Sequence, residues 1–138
     1  MSVEHWLESL RAAWQDHDPA GISGLFTEDA VYHQGPFGQP RRGRDEIAAH
    51  WTQTLSHQEK QSIWLGRPLT VGDRTAVEWW VVVRDPQSEE PRSAAGCVFL
   101  RFDGAGQCSE LHEYWHGTAG AVTPVFGGML GGGKVKAS

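Results

Sequence analysis

The hydrophobic period of this chain switches once, near residue 57, and that switch limits the possible folds more than any motif does. Before it, apolar residues recur at helical spacing. Val3, Trp6, Leu7, Leu10, Ala13 and Trp14 share one face of a helix expected over Val3–His17, with Ser2 as its cap. Asp18-Pro19 starts a second, short helix whose apolar side is Ile22, Leu25 and Phe26. A third is expected from Asp45 to about Leu55, with Ile47, His50, Trp51, Thr54 and Leu55 on one face. After the switch the pattern is strand-like. Segments near Gln61–Val71, Thr75–Asp85, Ala94–Phe102 and Cys108–His116 are joined by Gly72-Asp73, the stretch from Pro86 to Pro91, and Asp103-Gly104-Ala105-Gly106.

Helices followed by a run of antiparallel strands define an α+β arrangement in which a curved sheet wraps around three N-terminal helices. A strongly bent sheet does not fill its own concave side, so a cone-shaped cavity is expected. One further strand interrupts the helical half. Asp29 to Gln34 alternates, so Tyr32 and Gln34 face one way while Val31 and His33 face the other. The loop that follows, Gly35 to Gly43, carries turn-forming Gly and Pro, and Arg41-Arg42-Gly43-Arg44 reads as a solvated loop and helix start.

The 138 residues suffice for one domain, expected over 1–117, with 118–138 as a Gly-rich flexible tail in which Val125 and Phe126 are candidates to dock. A formal net charge of −5 argues against nucleic acid or an anionic membrane as the main partner. No apolar run approaches the roughly 20 residues that span a bilayer, and the acidic, amphipathic start lacks the features of a secretory signal; a cytoplasmic location is expected. Cys97 and Cys108 form no CxxC pair and read as two small buried thiols.

FTEDAVYH, the passage from Gly38 to Trp51 and the closing CSELHEYWHG resemble the nuclear-transport-factor-2-like superfamily. That group includes the SnoaL-type polyketide cyclases, ketosteroid isomerase and limonene epoxide hydrolase. The resemblance covers about residues 3–117 and implies the cone-shaped α+β barrel; because that fold carries many chemistries, it specifies function poorly. In a comparison with ketosteroid isomerase, Gln34 stands at the base position, Leu10 at the phenol donor and Val98 at the protonated acid, so that mechanism is not expected. Limonene epoxide hydrolase holds its attacking water with a Tyr, an Asn and an Asp, to which Tyr32, Gln34 and Glu113 correspond. The Arg and Asp that complete its mechanism correspond to Trp79 and Val81, so the acid half is missing.

Glu113 is therefore the leading candidate for proton transfer. Alternation puts Leu111, Glu113 and Trp115 on one face and His112, Tyr114 and His116 on the other. A carboxylate on the concave face among aromatics would have a raised pKa, which suits a general acid or base near neutral pH. Tyr32 and Gln34 are expected to orient water or a polar substrate group. Trp14, Trp51, Trp79, Val81, Val98, Leu111 and Trp115 are expected to line the pocket. Were Trp51, Trp64 and Trp79 to fill the cone, no site would remain.

Seven His invite a metal reading that the spacing does not support. His112 and His116 lie roughly 13 Å apart along a strand, His33 could approach one of them across the sheet, and no helix carries HxxxH; no metal and no cofactor are expected, and His33 or His50 stays open as a lone general base. Trp79-Trp80 puts one indole on each face, and Trp80, Val82, Phe99 and Tyr114 would form an outer face suited to a homodimer. Two functional classes stay open. One is a cofactor-free hydrolase, dehydratase, isomerase or cyclase acting on a small apolar organic molecule. The other is a non-catalytic ligand-binding or dimerisation module.

Overall fold

The Ser2 hydroxyl accepts the His5 backbone N–H at 3.1 Å and so caps α1 (Val3–Gln15) in the computed structural model, which describes residues 2–124 and 129–130. The helix ends two residues before His17. The chain must free Asp18 to cap α2 (Pro19–Ser23), where its carboxylate accepts from Gly21 N–H at 3.0 Å; His17 takes up the bend at φ 53°.

The strand β1 (Phe26–His33) follows, and then β2 (Arg41–Arg42), whose two residues pair with Tyr32 and Val31. The arginine cluster is thus part of the sheet rather than a free loop. Arg44 is also anchored, its Nε donating to the Phe26 carbonyl at 2.8 Å. Because Gly43 turns the chain at φ 81°, α3 (Gly43–Leu55) starts two residues before the expected Asp45, and Glu46 accepts the Arg42 N–H at 2.7 Å.

The remaining strands are β3 (Glu59–Gly66), β4 (Leu69–Val71), β5 (Arg74–Arg84), β6 (Pro91–Phe102), β7 (Cys108–Ala119) and β8 (Met129–Leu130). The single strand expected over 61–71 is two, because Arg67-Pro68 interrupts it and proline supplies no N–H for the ladder. The order is β2-β1-β7-β6-β5-β3-β8, with β4 beside β5. The sheet is curved and mixed: β1 runs parallel to β7, with Tyr32 opposite Leu111 and His33 opposite His112. Pairing continues past residue 117, where the sequence suggested that the domain ends. Val125 and Phe126 lie outside the described residues.

The three helices cover the concave face. Trp6, Ile22, Phe26, Ile47, Ile63, Val77 and Leu100 are almost wholly buried there. Trp6 sets its ring edge-on to Phe26 and Phe102 and donates to the Leu25 carbonyl at 2.8 Å, tying α1 to the start of β1. Alternation sends Trp79 inward and Trp80 outward, as read from the sequence. Trp64 is also on the outer face, opposite Trp80, so it takes no part in filling the cone. Cys108 is buried, which pushes its thiol up to about 12, whereas Cys97 is only half-buried.

Gly96 marks a close approach of β6 and β7. A Cβ there would collide with the Tyr114 carbonyl and lie within 2.8 Å of the Trp115 backbone and Cβ. We expect Gly96→Ala to lower unfolding free energy by about 1–3 kcal/mol. Urea denaturation checks this; an unchanged midpoint would mean that the strands are not this close.

Candidate functional site

Trp14 of α1 inserts edge-on between Trp51 of α3, at 5.2 Å between ring centroids, and Trp79 of β5, at 6.1 Å. Its indole N–H is used, donating to Gln58 Oε1 at 2.9 Å. Those of Trp51 and Trp79 are buried without a hydrogen-bond partner. Such groups are uncommon in folded proteins and cost roughly 1–3 kcal/mol each. The Trp51 N–H lies toward the Tyr32 oxygen, near enough to favour the phenolate slightly, yet closes no hydrogen bond.

Two neighbouring cavities share Trp14, Tyr32, Trp51, Trp79 and Glu113 as walls. The inner one, about 30 Å³, is completed by apolar side chains that include Leu10, Val98 and Leu111. It offers room for about one water. The outer one, about 270 Å³, is bounded also by Gln34, His50, Val81, Arg92 and Trp115. That is near the lower end of ligand-pocket sizes, so a small molecule fits and a large one does not. Trp115 is 46 % exposed and sits at the rim.

All ten residues singled out from the sequence therefore surround this space. Glu113, Tyr32 and Gln34 face the outer cavity; Val98 and Leu111 face only the inner one. His50, which the sequence places on the apolar face of α3 and offers, like His33, only as a lone general base, lines the outer cavity. His50 lies 5.2 Å from Tyr32 between ring centroids, and its ring makes no hydrogen bond among the described residues. Burial, helped by Arg41, lowers its pKa to about 4, so the imidazole is neutral at neutral pH. Arg92 was missed; its guanidinium donates to the His57 carbonyl at 2.8 Å.

Glu113 has no ion-pair or hydrogen-bond partner among the described residues, and it is the only carboxylate lining either cavity. It is half-buried and lines both cavities. Burial raises its pKa from 4.5 to about 7. Tyr32 is held well above its ordinary value of 10, first by burial and then by the nearby Glu113. The site therefore combines a phenol donor, a neutral imidazole and a carboxyl group of which both protonation states are populated near pH 7.

These features define an α+β cone of helices and curved sheet with a small aromatic cavity. Residues 3–111 match the SnoaL-like domain, and the chain belongs to that family, within the nuclear-transport-factor-2-like superfamily. No curated protein matches it in sequence. Solved structures share its fold. A hypothetical protein with a ketosteroid isomerase-like fold from Catenulispora acidiphila DSM 44928, in complex with trimethylamine, is 19 % identical with a TM-score of 0.72, over 82 % of this chain and 86 % of that one. SalBIII, an epoxide hydrolase/cyclase-like enzyme of pyran ring formation in the polyether salinomycin, is 14 % identical with a TM-score of 0.72, over 82 % and 89 %. RV0760c of Mycobacterium tuberculosis is 18 % identical with a TM-score of 0.73, over 85 % and 95 %. No helix among the described residues is long and apolar enough to cross a membrane.

The raised pKa of Glu113 fixes a sign for pH dependence. Between about pH 4.5 and 7 the folded chain keeps a proton that the unfolded chain releases, so this carboxyl's contribution to stability falls as pH rises through that window. We expect the stability of Glu113→Gln relative to the natural protein to grow by about 3 kcal/mol from pH 4 to pH 8. Both proteins contain His50, whose opposite trend on acidification cancels in the difference. Urea unfolding at the two pH values decides it; a difference that does not change with pH would place Glu113 in solvent.

Proposed function

We propose that this protein binds a small, mostly apolar organic molecule in the outer cavity and that Glu113 exchanges a proton with it, without a cofactor. The observation that carries this reading is the unpaired carboxyl of Glu113 set into aromatic walls beside the Tyr32 phenol. Because no second carboxylate faces either cavity, one group must both take and return the proton. That favours isomerisation, dehydration or cyclisation over hydrolysis, which in the epoxide hydrolase arrangement needs a separate acid. Trp79 and Val81 stand where that acid machinery would be. Leu10 and Val98 leave the inner wall without the donors that a ketosteroid isomerase mechanism uses.

In this reading, anionic Glu113 removes a proton from a carbon of the substrate. It then delivers that proton to another position or to a leaving oxygen. Tyr32, neutral at all physiological pH values, donates to the substrate oxygen, and Gln34 orients that oxygen from the end of β1. Likeness to SalBIII supports the reaction class, and the trimethylamine complex of the Catenulispora protein supports a small organic ligand. A non-catalytic binding module is the second reading, favoured by how far the tryptophans close the inner cavity.

Incubation of the protein in D₂O with small organic compounds that raise its melting temperature separates the two. We expect deuterium to enter carbon-bound positions of at least one such ligand, by NMR, and Glu113→Gln to slow this at least about 100-fold while binding persists. Equal exchange rates in both proteins would remove Glu113 from the chemistry, and binding without any exchange would favour the module.

We also propose a homodimer through the outer sheet face. Phe99 and Tyr114 are 45 % and 46 % exposed and pack edge-on at 6.0 Å, with Trp64, Trp80 and Val82 on neighbouring strands. Light scattering at micromolar concentration should give about twice the 15.2 kDa chain mass; a monomer mass would refute the proposal.

A further inference from the structure

On the face of the sheet opposite the cavity, the parallel register of β1 and β7 sets His33 directly beside His112. Their imidazoles stack at 4.2 Å between centroids, only 6° from parallel. Glu110, two residues before His112 and on the same face, accepts from or pairs with His112 Nε2 at 2.6 Å. One ligand atom from each of the three residues lies within 4.8 Å of the others. We propose that His33, Glu110 and His112 form a binding site for a divalent transition-metal ion such as Zn²⁺, Cu²⁺ or Ni²⁺.

Two imidazoles and one carboxylate are a donor set that such ions accept, and that Mg²⁺ or Ca²⁺ would not choose. Tetrahedral coordination at about 2.0–2.1 Å places donor atoms roughly 3.3 Å apart. To coordinate one ion the two rings must leave their parallel stack and turn so that a nitrogen of each points at it, with the metal replacing the His112–Glu110 contact. The second Glu110 oxygen is held by Arg101, whose Nε is 3.5 Å away, and this fixes the carboxylate's orientation. All three residues are partly exposed, so an ion has access, and the fourth coordination position is left to water. Arg42 lies near enough to His33 to oppose a cation and limits the affinity. A bound ion would link β1 to β7, the parallel pair that carries Tyr32 opposite Leu111. The sequence allows His33 to approach His112 or His116 across the sheet but does not say which; the parallel register of β1 and β7 selects His112.

The test uses the full-length chain without an affinity tag, stripped of metal by chelator. Isothermal titration with ZnCl₂ should show one ion per chain. His33→Ala and His112→Ala should each weaken binding at least about 10-fold, while His116→Ala, further along β7, should leave it unchanged. With Cu²⁺, the electron paramagnetic resonance spectrum should show coupling to two nitrogens, and His33→Gln should reduce that to one. Absence of binding, equal affinity in the His33→Ala/His112→Ala double variant, or one ion per two chains would each overturn the proposal.

Discussion

The edge-on insertion of Trp14 between Trp51 and Trp79 is the contact on which the architecture depends. It joins α1, α3 and β5 at one point, so the two long helices and the centre of the sheet share one packing element. Each such aromatic pair contributes about 0.5–1.5 kcal/mol beyond area burial, and edge-on geometry holds the rings apart where stacking would let the walls close. The outer cavity is what those rigid rings leave open. Gly96 serves the same end at the rim, allowing β6 to approach β7 behind Trp115.

The same wedge explains why polar groups near it are unpaired. Rigid indoles fill volume without offering acceptors, so the N–H groups of Trp51 and Trp79, the His50 ring and the Glu113 carboxyl are drawn into one apolar region. Burial moves His50 and Glu113 in opposite directions: the imidazole is left neutral at pH 7, and the carboxyl is left part-ionised. A core selected only for stability would have apolar residues at these places. Unpaired donors and an uncompensated carboxyl around a small space support the proposed ligand-binding reading, and the buried Trp14, Trp51 and Trp79 hold them there.

Much of this was legible in the sequence, for reasons that can be named. The helical spacing from Val3 to Trp14 and the alternation from Leu111 to Trp115 are local, and local periodicity decides which side chains face the cone. That is why Trp14, Trp79 and Glu113 are readable from the sequence as cavity residues. Features set by distant pairing were legible only as open alternatives. The parallel register of β1 with β7, which brings His33 to His112, depends on where the chain re-enters the sheet after α3. Whether Trp64 would help to fill the cone stayed open in the sequence, and its pairing with Trp80 on the outer face answers that. His50 was legible as an apolar-face residue and a lone-base candidate, but no local pattern shows whether a buried histidine will find a partner.

The central claim is that small molecules enter between the tryptophans and not on the outer face, and the seven indoles make it directly measurable. Trp51 and Trp79 line the cavities with free N–H groups, whereas Trp64 and Trp80 lie outside. Titration of a small apolar ligand, followed by ¹⁵N-resolved indole resonances, should shift the Trp51 and Trp79 signals most and leave those of Trp64 and Trp80 in place. Shifts confined to Trp64 and Trp80 would put the ligand on the outer face and contradict the account.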